Sequence, residues 1–323
     1  MKVSFIVTTY NLSESQLRRC LRSLTHQELS RDDYEIIVVD DESDEDPQPI
    51  VESFSSVANI HYLRQQHHRQ GAARNKALEI AKGDVIRFVD GDDFLYAGTT
   101  RLLLELLDGF EGDIVISGFK KVPSTASFSP RSTANSANCQ IDIYDSHQYM
   151  ASHTLFGSCC VLMFRRSLLN PPLSFVEDTY IEDEEFVTRL VWRADTIITT
   201  DLVTYAYTQN DISTTHQRDT SHLDTLFSAR MDSLQRIQSF ASSVEGERKG
   251  LDRKVHFLAV DILRNTLREP DWEQRTSSCV KKLSDRRLFP LPSADYSFKY
   301  RTFAKLSSSS IGRRILHLLE MIK

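Results

Sequence analysis

The first 120 residues alternate between two hydrophobic patterns, and this alternation restricts the fold more than any other feature. Short runs rich in β-branched residues are typical of strands that a sheet buries on both faces. Five such runs occur, at Val3–Thr9, Tyr34–Asp40, Ile60–Leu63, Val85–Asp90 and Asp113–Phe119. Segments with apolar residues at helical spacing lie between them, at residues 13–24, 47–54, 71–81 and 99–107. The alternation predicts an α/β fold, in which helices cover both faces of a mostly parallel sheet.

The pattern changes near Ser221, where helical stripes replace the strand signals. Leu223, Leu226 and Met231 share one such stripe. A chain of 323 residues has room for two domains. We therefore predict an α/β domain over residues 1–220 and a helical C-terminal region over residues 221–323.

Charge is distributed unevenly along the chain. The 39 Lys and Arg against 45 Asp and Glu give a net charge of −6, which argues against a nucleic acid as partner. Residues 281–323 nevertheless carry a local net charge of +7, from ten Lys and Arg against three acids. Ile311–Lys323 is predicted to form a basic amphipathic helix of the kind that contacts anionic membrane surfaces. The competing interpretation is a helical cap whose charges are simply solvated.

Cysteine usage and hydropathy bear on the cellular compartment. Five cysteines, an odd number without metal-ligand spacing, are typical of reduced thiols in a cytosolic protein. The apolar run after Met1 is too short for a secretory signal. No window provides the roughly 20 apolar residues of a bilayer span. We predict a cytoplasmic protein that contacts the inner face of the membrane through its basic tail.

Polar side chains follow the predicted strands at their carboxyl ends. Three carboxylates, Asp90, Asp92 and Asp93, follow one strand within four residues. Such acids repel one another unless a cation lies between them, and hard oxygen ligands select Mg²⁺ or Mn²⁺. A solvated turn explains the same residues without a metal. Residues 8–11 and 40–41 end two other strands, and because ligands of open α/β sheets bind where such ends meet, we expect all three groups to converge.

Six blocks of sequence, taken together, resemble the family 2 glycosyltransferases. The blocks are Val3–Asn11, Ile37–Ser43, Gly71–Ala77, Gly83–Asp93, Ile181–Phe186 and Tyr205–Ser213. Members of this family are inverting enzymes of the Rossmann-like GT-A fold that use nucleotide sugars. The resemblance implies that the first domain binds a nucleotide sugar and carries the catalytic residues.

The resemblance also implies a donor site at the strand ends. Its residues are Thr8, Tyr10, Asp40, Asp41, Arg74 and Asp90. An aromatic ring such as that of Tyr10 stacks well on uracil, which favours a UDP-sugar. Asp92 and Asp90 match the family's ligands for Mn²⁺ or Mg²⁺, with Asp93 as an accessory third acid. Under the competing interpretations, Tyr10 caps the core and Arg74 forms an ordinary surface ion pair.

An acceptor hydroxyl requires a general base, since it is a poor nucleophile until its proton is removed. Asp183 matches the family's base, and Glu182 is an accessory acid beside it. Neighbouring carboxylates are expected to raise the pKa of Asp183. Acids at a helix N-terminus also occur for dipole reasons alone. Thr208 stands where the family often carries an arginine for the diphosphate, and His216 is an accessory candidate for that contact.

We therefore predict a metal-dependent, inverting glycosyltransferase that moves a sugar from a nucleoside-diphosphate donor to an acceptor hydroxyl. By analogy with the family, the acceptor is predicted to be a glycan or lipid-linked glycan of cell-surface polysaccharide synthesis. Two alternatives stay open: a non-catalytic protein that binds glycans or nucleotide sugars, and a nucleotidyltransferase that uses the same acidic crevice. The nucleotidyltransferase interpretation is disfavoured, because the sequence has no glycine-rich, lysine-bearing phosphate loop after the first strand.

Overall fold

The computed structural model describes residues 2–131, 139–209, 219–294 and 296–321, and these fall into two units. The first unit comprises Met1–Ser146 and Phe156–His216, and the second comprises His147–Leu155 and Gln217–Lys323. The predicted roles of residues 1–220 as the nucleotide-sugar-binding and catalytic domain and of residues 221–323 as a separate helical region stay predictions.

A sheet forms the centre of the first unit and has nine strands over the described residues. The strands are β1 (Val3–Thr9), β2 (Tyr34–Asp40), β3 (Ile60–Arg64), β4 (Val85–Asp90), β5 (Phe94–Leu95), β6 (Ile114–Pro123), β7 (Ile141–Asp145), β8 (Leu162–Arg165) and β9 (Thr196–Gln209). Their spatial order is β3-β2-β1-β4-β8-β6-β9-β5, and β7 also pairs with β9. The three longest ladders, β6–β9, β1–β2 and β1–β4, are parallel, as is β2–β3. The remaining pairings are antiparallel, and the predicted mostly parallel α/β sheet is confirmed.

Helices follow the strands as the hydrophobic pattern predicts. The helices are α1 (Glu14–Leu24), α2 (Gln48–Glu52), α3 (Arg69–Ile80), α4 (Thr99–Gly109), α5 (Ser146–Ser152), α6 (Glu182–Arg193), α7 (Thr220–Ser243), α8 (Lys249–Thr266), α9 (Trp272–Asp285), α10 (Phe298–Ser307) and α11 (Ser310–Met321). Ser13 caps α1 through a capping box with Gln16, which fixes where that helix begins. α3 packs against β1 and β2, and α4 packs against β6 and β9. Both β1 and β2 are buried at every position, as expected for strands covered on two faces.

The second unit is helical. Leu234, Ile237 and Leu263 are fully buried and belong to the apolar stripes that the sequence shows after Ser221. Arg253 and Lys254 of α8 donate to the carbonyl oxygens of His153 and Leu155, which ties the short segment His147–Leu155 to this unit. Within the described residues, none of the helices combines the length and apolar character that crossing a bilayer requires.

Candidate active site

Three strand ends meet at one edge of the sheet. The register pairs Thr9 with Asp40 across β1 and β2, and Thr8 with Asp90 across β1 and β4. The N–H of Asp41 donates to the carbonyl oxygen of Thr9 at 3.0 Å. Because these parallel strands end on the same side, the expected convergence of the polar strand ends is confirmed.

A buried guanidinium joins this edge to the start of α6. Arg74, which is 2% exposed, donates from Nη2 to Asp90 Oδ1 at 3.0 Å and from Nη1 to Asp183 Oδ1 at 2.5 Å. Nη1 also donates to Glu182 Oε1 at 2.9 Å. The strand-end acid and the predicted base therefore share one cation, although they are distant in sequence. This burial excludes the interpretation of Arg74 as an ordinary surface ion pair.

Burial strengthens the predicted base and its neighbour as proton acceptors. Desolvation raises the pKa of Asp183; the positive charge of Arg74 opposes the rise and the negative charge of Asp90 adds to it. Desolvation and the charge of Asp183 raise the pKa of Glu182 to about 7. The second carboxylate oxygen of Asp183 accepts from the N–H of Cys159 at 3.2 Å. A carboxylate with a raised pKa takes a proton more readily near neutral pH.

Asp93, the accessory third acid, anchors β9. Its Oδ2 accepts from the Tyr205 hydroxyl at 2.7 Å, and its Oδ1 accepts from the N–H of Thr208 at 2.6 Å. Burial, followed by the negative charges of Asp92 and Asp90, raises the pKa of Asp93 to about 8. With Asp90, Asp92 and Asp93 within four residues, negative charge accumulates at this edge of the sheet.

Asp90 and Asp92 have the donor chemistry that a divalent cation requires. Both carboxylates are partly exposed, unlike that of Asp93. Mg²⁺ and Mn²⁺ prefer hard oxygen ligands and are commonly bound by one or two carboxylates together with substrate phosphates. A cation at this position would also offset the repulsion among the three acids. The chemistry of these two carboxylates suits a divalent metal ion, while the described residues contain no group of three or more His, Cys, Asp or Glu side chains arranged to hold one.

Tyr10 and Asp41, the residues expected at the nucleotide base, both contact His67. The Tyr10 side chain is 47% exposed, so it does not cap the core as the competing interpretation holds. Its ring lies 4.5 Å from the His67 ring, centroid to centroid, with an interplanar angle of 35°. Asp41 is 4% exposed. Its carboxylate accepts from Gln65 Nε2 at 2.8 Å and from the His68 N–H at 2.9 Å, and lies 2.9 Å from His67 Nδ1.

Two further donor-site candidates are buried within the strand-end network. Asp40 accepts from the Ser43 hydroxyl at 2.5 Å and lies 3.6 Å from the Arg64 guanidinium, so it shapes the loop after β2. Thr8 Oγ1 accepts from Gln70 Nε2 at 3.1 Å. Their contacts to a donor stay predictions. His216 lies outside the described residues.

Sequence reasoning overlooked Gln70. Its Nε2 donates both to Thr8 and to Asp90 Oδ1, the latter at 2.6 Å. Helical spacing could have revealed it: Gln70 precedes Arg74 by four residues on α3 and therefore lies on the same helix face. Thr208, in place of an arginine, accepts from Arg19 Nη2 at 3.1 Å.

Comparison with known sequences identifies the class of protein that this fold and site define. Residues 4–170 match the profile of Glycosyl transferase family 2, and the chain belongs to this family. The fold, with its strand-end acids beside the β1 and β2 termini, is the GT-A fold of such enzymes.

Individual relatives and solved structures agree with this family. The chain is 32% identical over 149 residues to the poly(ribitol-phosphate) beta-glucosyltransferase of Bacillus spizizenii; the match covers 45% of the chain and 23% of the relative, so it spans about a quarter of that protein. The structure resembles S. aureus TarS 1-349 in complex with UDP-GlcNAc, with a TM-score of 0.68, 20% identity and coverage of 100% and 93%. It also resembles the mannosyltransferase PcManGT from Pyrobaculum calidifontis in complex with GDP-Man and Mn²⁺, with a TM-score of 0.56, 16% identity and coverage of 98% and 87%.

Proposed function

We propose that the chain is an inverting glycosyltransferase that transfers a sugar from a nucleoside-diphosphate donor, preferably a UDP-sugar, to an acceptor hydroxyl. The contact that carries the proposal is the Arg74 guanidinium, which holds Asp90 of the strand-end edge and Asp183 of α6 in one cluster. Family membership supports the reaction class, and the TarS structure with UDP-GlcNAc supports the donor class.

The donor is proposed to lie along the strand ends. Tyr10 offers an aromatic face for the base, and Asp41 offers a carboxylate that accepts from a base N–H. Thr8 and Asp40 shape the floor of this subsite. Asp90 lies farther along the same edge, towards the sugar and phosphates.

Asp92 and Asp90 would hold a divalent cation, Mn²⁺ or Mg²⁺. When bound, such an ion supplies Lewis-acid stabilisation of the charge on the departing diphosphate. The donor set of the two partly exposed acids supports this assignment, and so does Mn²⁺ in the mannosyltransferase PcManGT complex.

Asp183 is proposed to take the proton of the acceptor hydroxyl. The acceptor oxygen attacks the anomeric carbon as it loses this proton. The new C–O bond forms on the face opposite the leaving diphosphate, which inverts the configuration of the sugar. The raised pKa of Asp183 favours this proton transfer. Arg74 fixes the Asp183 carboxylate, and Glu182 supports Arg74 from its other side.

We place the acceptor among glycans or lipid-linked glycans of cell-surface polysaccharide synthesis. The poly(ribitol-phosphate) specificity of the Bacillus spizizenii relative supports a polymer acceptor. The basic residues and exposed apolar side chains of α11 support contact with the cytoplasmic membrane surface, where a lipid-linked acceptor is accessible.

Donor turnover in variants of the two proposed acids tests this function. UDP release from UDP-sugars with Mn²⁺ is measured for the wild type, Asp92→Ala, Asp183→Asn and, as the matched control, Glu185→Gln. Glu185 lies in the same first turn of α6 but pairs with Arg189. We expect a loss of more than about 100-fold in Asp183→Asn, which removes the proposed general base, a loss in Asp92→Ala, which removes a proposed metal ligand, and near-normal turnover in the control.

The competing functions give different results in this assay. A non-catalytic binding protein would bind UDP without turnover in any variant. A nucleotidyltransferase would form a nucleotide sugar from a nucleoside triphosphate and a sugar phosphate. Equal turnover in the wild type and both acid variants would refute the assignment.

A further inference from the structure

The donor-base subsite contains a side chain that imitates a nucleobase. The His67 imidazole is planar, lies 4.5 Å from the Tyr10 ring at an interplanar angle of 35°, and places Nδ1 2.9 Å from the Asp41 carboxylate and 3.2 Å from the Asp41 carbonyl oxygen. A pyrimidine base in the proposed subsite would use the same two residues: it would stack on the Tyr10 ring and donate an N–H to the Asp41 carboxylate.

The Asp41 carboxylate has no open approach while this ring is in place. One oxygen already accepts from Gln65 and from the backbone N–H of His68, and the other faces His67. With the residue only 4% exposed, a base N–H has to take the place of one of these three groups.

Of the two side chains around this carboxylate, the exposed His67 moves more easily than the half-buried Gln65. The His67 side chain is 40% exposed, and its backbone is held separately, because its N–H donates to Glu42 Oε2 at 2.9 Å. Rotation about the side-chain torsions alone would carry the ring into solvent. The His68 donor, in contrast, is a backbone group whose movement would displace the start of α3.

We propose that the His67 imidazole occupies the nucleobase position and that the donor must displace it to bind. This inference rests on the proposed function, since it takes Tyr10 and Asp41 as the base subsite. His67 then acts as an internal competitor: the protein binds a donor only in the fraction of molecules whose ring has left the subsite, and the apparent affinity falls by that fraction.

Titration calorimetry of the full chain with UDP and Mn²⁺ tests the displacement. His67→Ala is expected to bind UDP about 3- to 10-fold more tightly than the wild type, which corresponds to a subsite that is mostly filled by the ring. The matched control is His68→Ala. That side chain pairs with Asp178 and contacts neither Tyr10 nor Asp41, so its loss should leave the affinity for UDP unchanged.

A second readout excludes a purely structural effect. In wild-type protein, UDP should shift the His67 ring resonances towards solvent-exposed values, because the ring leaves Tyr10. Weaker or equal UDP binding by His67→Ala, or unchanged ring resonances on saturation, would overturn the proposal. Asp41→Ala separates this result from a failure of the proposed function: if Asp41→Ala binds UDP as the wild type does, the subsite itself is misplaced.

Discussion

At the scale of single residues, one arginine, Arg74, pairs with three carboxylates. Its buried guanidinium satisfies Asp90, Glu182 and Asp183 at once. A buried ion pair adds little net stability, but removal of one partner leaves uncompensated charge in a poorly solvated place. The arrangement therefore makes Arg74 both the positioning residue of the proposed base and a structural requirement for the two acids of α6.

Replacement of Arg74 by methionine tests how much this charge pairing contributes to stability. We expect Arg74→Met to lower the free energy of unfolding by about 3–5 kcal/mol at neutral pH, because the buried Glu182 and the half-buried Asp183 are left without their partner. Arg18→Met is the control, since Arg18 forms an exposed pair with Glu14 and should cost less than about 1 kcal/mol. Urea unfolding measures both.

The pH dependence of the Arg74→Met defect separates lost charge pairing from lost packing. Protonation of Glu182 and Asp183 removes their buried charge, so the defect should shrink as the pH falls from 7.5 to 5. A defect of the same size at both pH values would indicate that packing, rather than charge, accounts for it.

At the scale of secondary-structure elements, α3 and the chain entering α6 approach closely at Gly71. A Cβ at this position would lie 2.5 Å from the carbonyl oxygen of Val176 and 3.3 Å from the Glu182 Cβ. Backbone must therefore move if any side chain is added there. The same approach involves Glu182, and Asp183 is the next residue. A movement of this backbone would therefore shift the proposed base, Asp183, relative to Arg74.

Gly71→Ala should consequently impair turnover more than it impairs folding. We expect a loss of stability of about 1–3 kcal/mol, as for other overpacked sites, and a fall in kcat of at least about 10-fold, because small misplacements of reacting groups cost rate steeply. Gly109→Ala is the matched control, since a Cβ there meets nothing within 4 Å. Steady-state kinetics with thermal unfolding compares the two; equal effects would contradict the proposed role of this approach.

The sequence predicts those strands and helices that are determined by their own residues. It does not predict the strands whose position depends on contacts with residues far along the chain. β1, β2 and β4 are short β-branched runs, and Ser13 marks the start of α1, so each could be predicted. The pairing of β8 between β4 and β6, and the two-residue β5, depend on partners far along the chain. Likewise, the resemblance indicated Arg74 and Asp183 separately, but only the fold shows that they touch.

At the scale of the whole molecule, we expect His256 to make the stability of the helical second unit depend on pH. Burial lowers the pKa of His256 below 6.5, and the charge of Asp252 opposes the shift only in part. Its Nδ1 lies 2.8 Å from the Tyr296 hydroxyl. Below pH 6.5 the unfolded chain binds more protons at this residue than the folded chain, so stability present above that pH is lost as the pH falls.

His256 should therefore lower the urea midpoint of unfolding as the pH falls from 7.5 to 5, whereas the carboxylates with raised pKa values, such as Asp93 and Glu182, should raise it. Removing the histidine contribution in His256→Gln should shift the change in midpoint over this range towards higher stability, relative to the wild type. Glutamine keeps a polar group near Tyr296 but does not titrate. Comparison of the two slopes isolates His256 from other titrating groups, and parallel slopes would show that His256 does not contribute.

The acidic chain ends in a basic helix whose apolar side chains face outward. In α11, Ile311 is 73% exposed and Leu318 is 62% exposed, while Glu320 pairs with Arg264 at 2.7 Å and holds the helix against α8. Because an exposed apolar stripe beside Arg313 and Arg314 suits an anionic bilayer surface, we expect the chain to sediment with phosphatidylglycerol vesicles and to be released by salt.

Substitution of the outward apolar residues should weaken this binding without unfolding the helix. Each buried leucine or isoleucine contributes about 1.5–3 kcal/mol, so Ile311→Ser with Leu318→Ser should reduce vesicle binding by at least about 10-fold. Phe110→Ser, at an apolar residue that is 45% exposed in the first unit, controls for a general loss of surface hydrophobicity. Retained binding in the double variant would show that charge, rather than the apolar stripe, accounts for the attraction, and absence of sedimentation in the wild type would favour a solvated helical cap.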